Sequence, residues 1–263
     1  MNINNLRYAD DTTLIADDEQ KLQKLMEVVV EKSEAKGLDI NKKKSFVMVF
    51  SKNAVKPTCH ITLKGESFEQ VDQFTYLGSM VTADAKSDQE IKRRIGIAKT
   101  AYKKMARVLQ SKSVTMSTRL RLLKCYVWSK LLYCCEGWTI SKTMEARLQA
   151  TEMWFLRRML KISWKDKVPN EEVLRRANTS RQLMLTIVTR QIRFVGHVVR
   201  KGELEYLTLT GKMEGKRARG RQRLTFLGWL ERSTGYKPLD LIRMMQRRKE
   251  NDAVTAVYAR SLA

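Results

Sequence analysis

At Ser87 the spacing of apolar residues changes, and that change limits what this chain can build. Before it, apolar residues come in short alternating runs at 6 to 16, 45 to 50, 59 to 71 and 74 to 79, separated by turn residues. That is the period-two pattern of half-buried strands. After it, apolar residues recur every three to four positions over long stretches. Ile91, Ile95, Ala98, Tyr102, Met105 and Leu109 make one stripe, and Leu120, Leu123, Val127 and Leu131 a second, on a helix expected over 118 to 135. Met144, Leu148, Phe155 and Met159 make a third, and Leu183, Ile187 and Phe194 a fourth. Each stripe fits one buried helix face. Strands first and helices afterwards predict an α+β fold. One early helix is expected over 18 to 36, opened by Asp17 or Asp18, faced by Leu22, Leu25, Met26, Val29 and Ser33, and stopped by Gly37. Ser87-Asp88-Gln89-Glu90 predicts a capping box for the first helix of the second part. Asn170 is expected to cap a later helix, and Trp229, Leu230, Leu239, Ile242 and Met245 to face closing ones.

The candidate chemistry sits in the first run. Leu6 and Tyr8 alternate, residues 13 to 16 are β-branched or apolar, and Asp10-Asp11 fall between them where a turn belongs. Neighbouring side chains on a straight strand point to opposite faces, so only a turn lets two consecutive carboxylates converge on one cation. Oxygen donors of this kind suit Mg²⁺, which is commonly held by one or two carboxylates together with substrate phosphates. Two aspartates in a solvated turn is the other reading of the same residues.

Charge points to the partner. The formal charge is +23, yet residues 1 to 78 hold 11 Lys and Arg against 12 Asp and Glu, whereas residues 79 to 263 hold 40 against 16. The surplus is therefore confined to the helical part, and it fits a polyanion, nucleic acid before anionic membrane. Lys92, Arg93, Arg94, Lys99, Lys103, Lys104 and Arg107 form the expected outer face of the first long helix. A second concentration, Lys216, Arg217, Arg219, Arg221 and Arg223, has no acid among nine residues and glycines that let backbone approach phosphate. A linker or import signal is the other reading of the same residues, and nucleic-acid contact is the favoured one. Cys59, Cys125, Cys134 and Cys135 show no CxxC pair, and His60 and His197 do not complete a zinc ligand set, so reduced thiols in an intracellular, nuclear or cytoplasmic, non-secreted protein are expected. The run from 46 to 50 falls far short of a membrane span, and no membrane partner is expected.

Tyr8-Ala9-Asp10-Asp11 resembles the YADD box of reverse transcriptases, in the version common in LINE-type, non-LTR retrotransposons. Residues 37 to 45 resemble the next box of that family, with Ser45 at its usual Thr, and Phe74-Thr75-Tyr76-Leu77-Gly78 resembles its FxYLG primer-grip box. Leu131-Leu132-Tyr133-Cys134-Cys135-Glu136-Gly137-Trp138 is similar to an LLYGCExW stretch found behind the palm, with Cys134 at the usual Gly and Gly137 at the usual Thr. The boxes stand in the family's order. The resemblance implies a partial palm over 1–80, thumb-like helices over 81–138 and a basic helical region over 139–263. It implies Asp10 as a direct and Asp11 as a supporting Mg²⁺ ligand, and Lys44 as a cation or proton donor near the incoming dNTP. Tyr76, Leu77 and Gly78 would hold the primer end, while Arg93, Arg94, Lys103, Lys104, Lys216, Arg217, Arg219, Arg221 and Arg223 would contact an RNA template with a DNA primer or target DNA. The implied reaction is two-metal phosphoryl transfer by an RNA-directed DNA polymerase. Family members carry a further metal-binding Asp and their fingers before the YADD box. This chain is accordingly expected to be a C-terminal fragment, active in the full-length enzyme and inert alone. The alternative is a non-catalytic nucleic-acid-binding protein derived from such an element.

Overall fold

The division between two compact units falls between Lys86 and Ser87, where the apolar period changes. The computed structural model describes residues 4–51, 56–211 and 224–261. Lys216, Arg217, Arg219, Arg221 and Arg223 lie outside the described residues.

The first unit mixes one helix with short strands. Strands β1 (Asn5–Tyr8) and β2 (Asp11–Leu14) pair antiparallel, Tyr8 facing Asp11 across a two-residue turn. Helix α1 (Glu19–Glu34) is capped by Asp18, whose carboxylate accepts from the Lys21 amide at 2.7 Å. It ends as Gly37 enters the left-handed region at φ 71° and the Leu38 amide returns to the Ser33 carbonyl. Strand β3 (Phe46–Val47) pairs parallel with β6 (Glu69–Gln70), while β4 (Thr62–Leu63) and β5 (Glu66–Ser67) make a second hairpin. The strand expected over 45 to 50 is therefore reduced to two residues. Beyond Val47 no described residue pairs with this run, although its composition is strand-like. Strands β7 (Gln73–Tyr76) and β8 (Ser79–Thr82) form the third hairpin. All described strands pair two by two, so a mixed α+β content is present without a sheet wider than two strands. Met26, Val47 and Ile61 are the buried apolar residues that hold α1 to these strands, supported by Leu14, Leu22, Ile40 and Phe68.

No strand occurs among the described residues of the second unit. Helix α2 (Asp88–Leu109) buries Ile91, Ile95, Ala98, Tyr102 and Leu109, the expected stripe. A second helical run comprises α3 (Met116–Leu122), a π-helical stretch Leu123–Trp128 and α4 (Ser129–Leu131). The wider turn brings Leu123, Val127, Trp128 and Leu131 together in the core. Then follow α5 (Lys142–Met159), α6 (Asn170–Ala177), α7 (Leu183–Lys201), α8 (Leu204–Thr210), α9 (Phe226–Thr234), α10 (Pro238–Met245) and α11 (Arg248–Ser261). Helix α7 is the axis of this unit, packing against α5, α8, α10 and α11 and burying Ile187, Val188, Ile192 and Val195 completely. Residues of 87 to 138 and of 139 to 258 contribute to one apolar core.

Several local expectations are corrected by packing. Ser87 does not close a capping box. Its hydroxyl accepts from the Thr139 amide at 3.1 Å, and Glu90 is drawn inward to Arg93 and Arg94. Asn170 is not the cap of α6, since its carboxamide oxygen accepts from Arg157 at 3.0 Å. Phe194 and Leu239 are 39% and 69% exposed; the buried positions beside them are Val195 and Leu241.

Candidate functional site: an acidic hairpin and a basic helical surface

The turn of the first hairpin consists of Ala9 and Asp10, so the Asp pair straddles the junction of turn and strand. Ala9 is held at φ 51°, a conformation that costs a residue with a Cβ, and it turns the chain within two residues. Asp10 and Asp11 are exposed, and neither carboxylate forms an ion pair with a described residue. Among the described residues no three His, Cys, Asp or Glu side chains converge as a metal-binding group. Two exposed carboxylates are oxygen donors of the kind that Mg²⁺ takes, and among the described residues no third His, Cys, Asp or Glu joins them.

Lys44 closes a short 3₁₀ turn, Lys42–Lys44, and is exposed, whereas Lys42 is paired with Glu66 at 2.9 Å. Tyr76, Leu77 and Gly78 occupy the tip of the third hairpin, Leu77 at φ 46° and Gly78 at φ 76°. Two successive positive φ values are those of a type I′ turn, whereas the Ala9-Asp10 turn has a positive φ at Ala9 alone; Gly78 takes its position at no steric cost. The Lys64-Gly65 turn of the second hairpin repeats the geometry at φ 52° and 81°.

On α2 the basic residues separate into two groups. Lys103 and Lys104 are exposed, as a phosphate-contacting face requires. Arg94 is 7% exposed, its Nε donating to Glu90 at 2.6 Å and its guanidinium lying 4.3 Å over the Tyr133 ring; Arg93 donates to both oxygens of the same carboxylate, at 2.7 and 3.0 Å. The expected outer position of Arg94 is corrected by this burial. A carboxylate as deeply buried as that of Glu90 must be paired, and the two neighbouring arginines provide the pairing.

Other arginines hold the fold. Arg119 donates to the Met159 carbonyl at 3.0 Å, Arg157 to Val168 at 2.7 Å, Arg190 to Leu132 at 3.1 Å, Arg200 to Met245 at 2.8 Å and Arg232 to Ile140 at 3.1 Å. Met159 and Met245 end α5 and α10, where carbonyls lack helical donors and cations are favoured. Part of the positive surplus is therefore used inside the molecule. The segment similar to LLYGCExW is secured by Gln191, a fully buried residue of α7. Its amide donates to the Cys135 and Trp138 carbonyls, both at 2.9 Å, and its oxygen accepts from the Trp229 indole at 2.8 Å. Gln191 gave no signal in the sequence, because the polar residue interrupts an apolar stripe. Cys134 stands at φ 57°, a left-handed conformation that favours glycine, the residue at this place in the LLYGCExW stretch that the segment resembles. Burial pushes the Cys135 thiol up to about 12, so it has no nucleophilic thiolate near neutral pH. All four cysteines are free.

Residues 1–81 match the family model described as reverse transcriptase (RNA-dependent DNA polymerase), which places the acidic hairpin, Lys44 and the Tyr76-Leu77-Gly78 turn inside the matched stretch. The chain is also similar to an uncharacterized transposon-derived protein of Caenorhabditis elegans, 27% identical over 215 residues that cover 79% of this chain and 76% of that one. Together these similarities support a relation to reverse transcriptases. No solved structure matches the chain. No helix among the described residues is long and apolar enough to cross a membrane.

Proposed function

We propose that the chain carries a partial palm over 1–80, thumb-like helices over 81–138 and a basic helical region over 139–263 of a LINE-type, non-LTR retrotransposon reverse transcriptase, an RNA-directed DNA polymerase. The observation that carries this reading is the pair Asp10 and Asp11, exposed at a two-residue hairpin turn inside the residues that match the family model. In this reading Asp10 is the direct metal ligand and Asp11 supports it. Bound there, Mg²⁺ supplies charge neutralisation for transfer of a nucleotide to the primer end. Lys44 offers a cation to the triphosphate of the incoming dNTP, and the Tyr76-Leu77-Gly78 turn positions the primer. Lys103 and Lys104, together with Lys216, Arg217, Arg219, Arg221 and Arg223, contact the phosphates of an RNA template with a DNA primer or target DNA. Arg93 and Arg94 order α2 for that contact through Glu90.

A second reading, a nucleic-acid-binding protein without polymerase activity, is favoured for the 263-residue chain by itself. The described residues bring no further carboxylate to Asp10 and Asp11, and a metal pair misplaced by an ångström loses on the order of a hundredfold in rate. Two measurements test the proposal. Titration of the chain with RNA–DNA hybrid at several salt concentrations should show affinity falling steeply with salt, and more shallowly after charge reversal of Arg217, Arg219 and Arg221. A flat response would remove the nucleic-acid reading. Primer extension by the chain alone should be undetectable with Mg²⁺ or Mn²⁺; extension that Asp10→Asn abolishes would show that the chain completes its own active site.

A further inference from the structure

Residues 161 to 168 form a loop between α5 and α6 that is tightly tied and yet displays an indole to solvent. Trp164 is 84% exposed, more than any other large hydrophobic side chain described. Around it the backbone is fixed. The Ser163 hydroxyl accepts from the Lys165 amide at 3.3 Å, and the Asp166 carboxylate accepts from the Ser163 amide at 2.7 Å, a reciprocal capping box. The Ile162 amide donates to the Arg157 carbonyl at 2.9 Å, and Arg157 holds the Val168 carbonyl from the other side. Ile162 and Val168 pack onto the small core of Met153, Leu156, Val173 and Ala177. Lys161, Lys165 and Lys167 of the same loop are exposed, and none of the three is in an ion pair with a described residue.

This combination of a rigid loop, one projecting aromatic face and three cations is what a stacking contact to an unpaired base requires. The indole provides a π-face that any base can cover, and the lysines neutralise the adjoining phosphates. Because the loop is already ordered, binding does not have to order it. We infer that Trp164 with Lys161, Lys165 and Lys167 is a single-strand binding site in which a nucleobase stacks on the indole. The inference rests on the proposed nucleic-acid binding and adds to it a site for unpaired strand. A membrane surface fits less well, since interfacial insertion needs a wide apolar face and the loop's other apolar residues point into the core.

The test compares two strands with the 263-residue chain: a short oligouridylate, and a fully abasic phosphodiester of the same length, equal in charge but without bases. The chain should prefer the oligouridylate, and Trp164→Ala should lower that affinity by about five- to a hundredfold, the span produced by losing one stacked base, while leaving the abasic strand unaffected. Trp164→Phe should retain most of the preference. Replacing the three lysines by Gln should weaken both strands and flatten the salt dependence by about two in slope. Trp164→Ala binding oligouridylate like the parent, or losing both strands equally, overturns the stacking site. So does a loss confined to phosphatidylserine vesicles. If the parent chain binds neither strand nor RNA–DNA hybrid, the broader nucleic-acid reading fails with it; binding of hybrid without a base-dependent preference defeats the Trp164 site alone.

Discussion

Cys134 shows how a single backbone angle can decide which residue suits a position. Its φ of 57° lets the chain leave α4 and enter the 3₁₀ turn Cys135–Gly137, so that the Cys135 and Trp138 carbonyls reach Gln191. A Cβ in that conformation costs about 1–2 kcal/mol, partly offset by the larger unfolded-state entropy of glycine. Cys134→Gly is therefore expected to stabilise the chain by about 0.5–1 kcal/mol, seen as a melting temperature raised by about 1–4 °C. An unchanged or lower melting temperature would show that the Cys134 side chain contributes contacts outweighing its strain. The same conformation recurs at Ala9 and Leu77, the tips of the two hairpins proposed as catalytic and primer-holding. From the sequence, these positions were legible as turns, since Asp and Gly lie beside them. That a Cβ-bearing residue takes the left-handed position was not, because only the pairing registers Tyr8 with Asp11 and Tyr76 with Ser79 impose it.

At the scale of the element, α7 is organised by polar groups that periodicity does not reveal. Its first turn is capped from another helix: Glu152 of α5 accepts from the Gln182 and Leu183 amides at 2.7 and 2.9 Å. The second carboxylate oxygen of Glu152 is buried without a partner among the described residues, and burial raises the pKa of the group above its ordinary 4.5. Between 4.5 and that raised value the native chain binds more protons than the unfolded one, so stability contributed by the protonated group is lost as pH rises. Glu152→Gln keeps an oxygen for the two amides and has no charge to bury. Its stability relative to the parent should therefore increase as pH is raised from about 4.5 toward neutrality, measured by urea midpoints across that interval. A difference that stays constant or shrinks would mean that the capping bonds hold the carboxylate charged. The apolar stripes of α2, α5 and α7 were legible because helices bury one face at a fixed period; Phe194 and Leu239 are apolar residues beyond that face, which an apolar side chain alone does not distinguish.

Across the whole molecule, the two units differ in how much they bury. Among the described residues the first unit buries four apolar side chains, Met26, Val47, Ile61 and Ala83, whereas the second builds a continuous core across its helices from Ile91 to Tyr258. Opening free energy follows such burial, so native-state hydrogen exchange should protect α7 amides far more than those of β1 and β2. Equal protection in the hairpin and α7 would contradict this ranking. The local patterns were determined by the sequence alone. The change of period at Ser87 separates strand-like from helical segments, the turn residues place the hairpins, and the charge asymmetry assigns the basic surplus to the helical part. Those follow from short-range sterics and from the fixed periods of strand and helix. Only the tertiary structure decided which cations face solvent. Arg94, Arg119, Arg157, Arg190 and Arg200 are engaged with a buried carboxylate or with carbonyls, while Lys103, Lys104 and the lysines of the Trp164 loop remain outside. A charged residue reads the same in a sequence either way; its use depends on whether distant chain brings it a partner out of water.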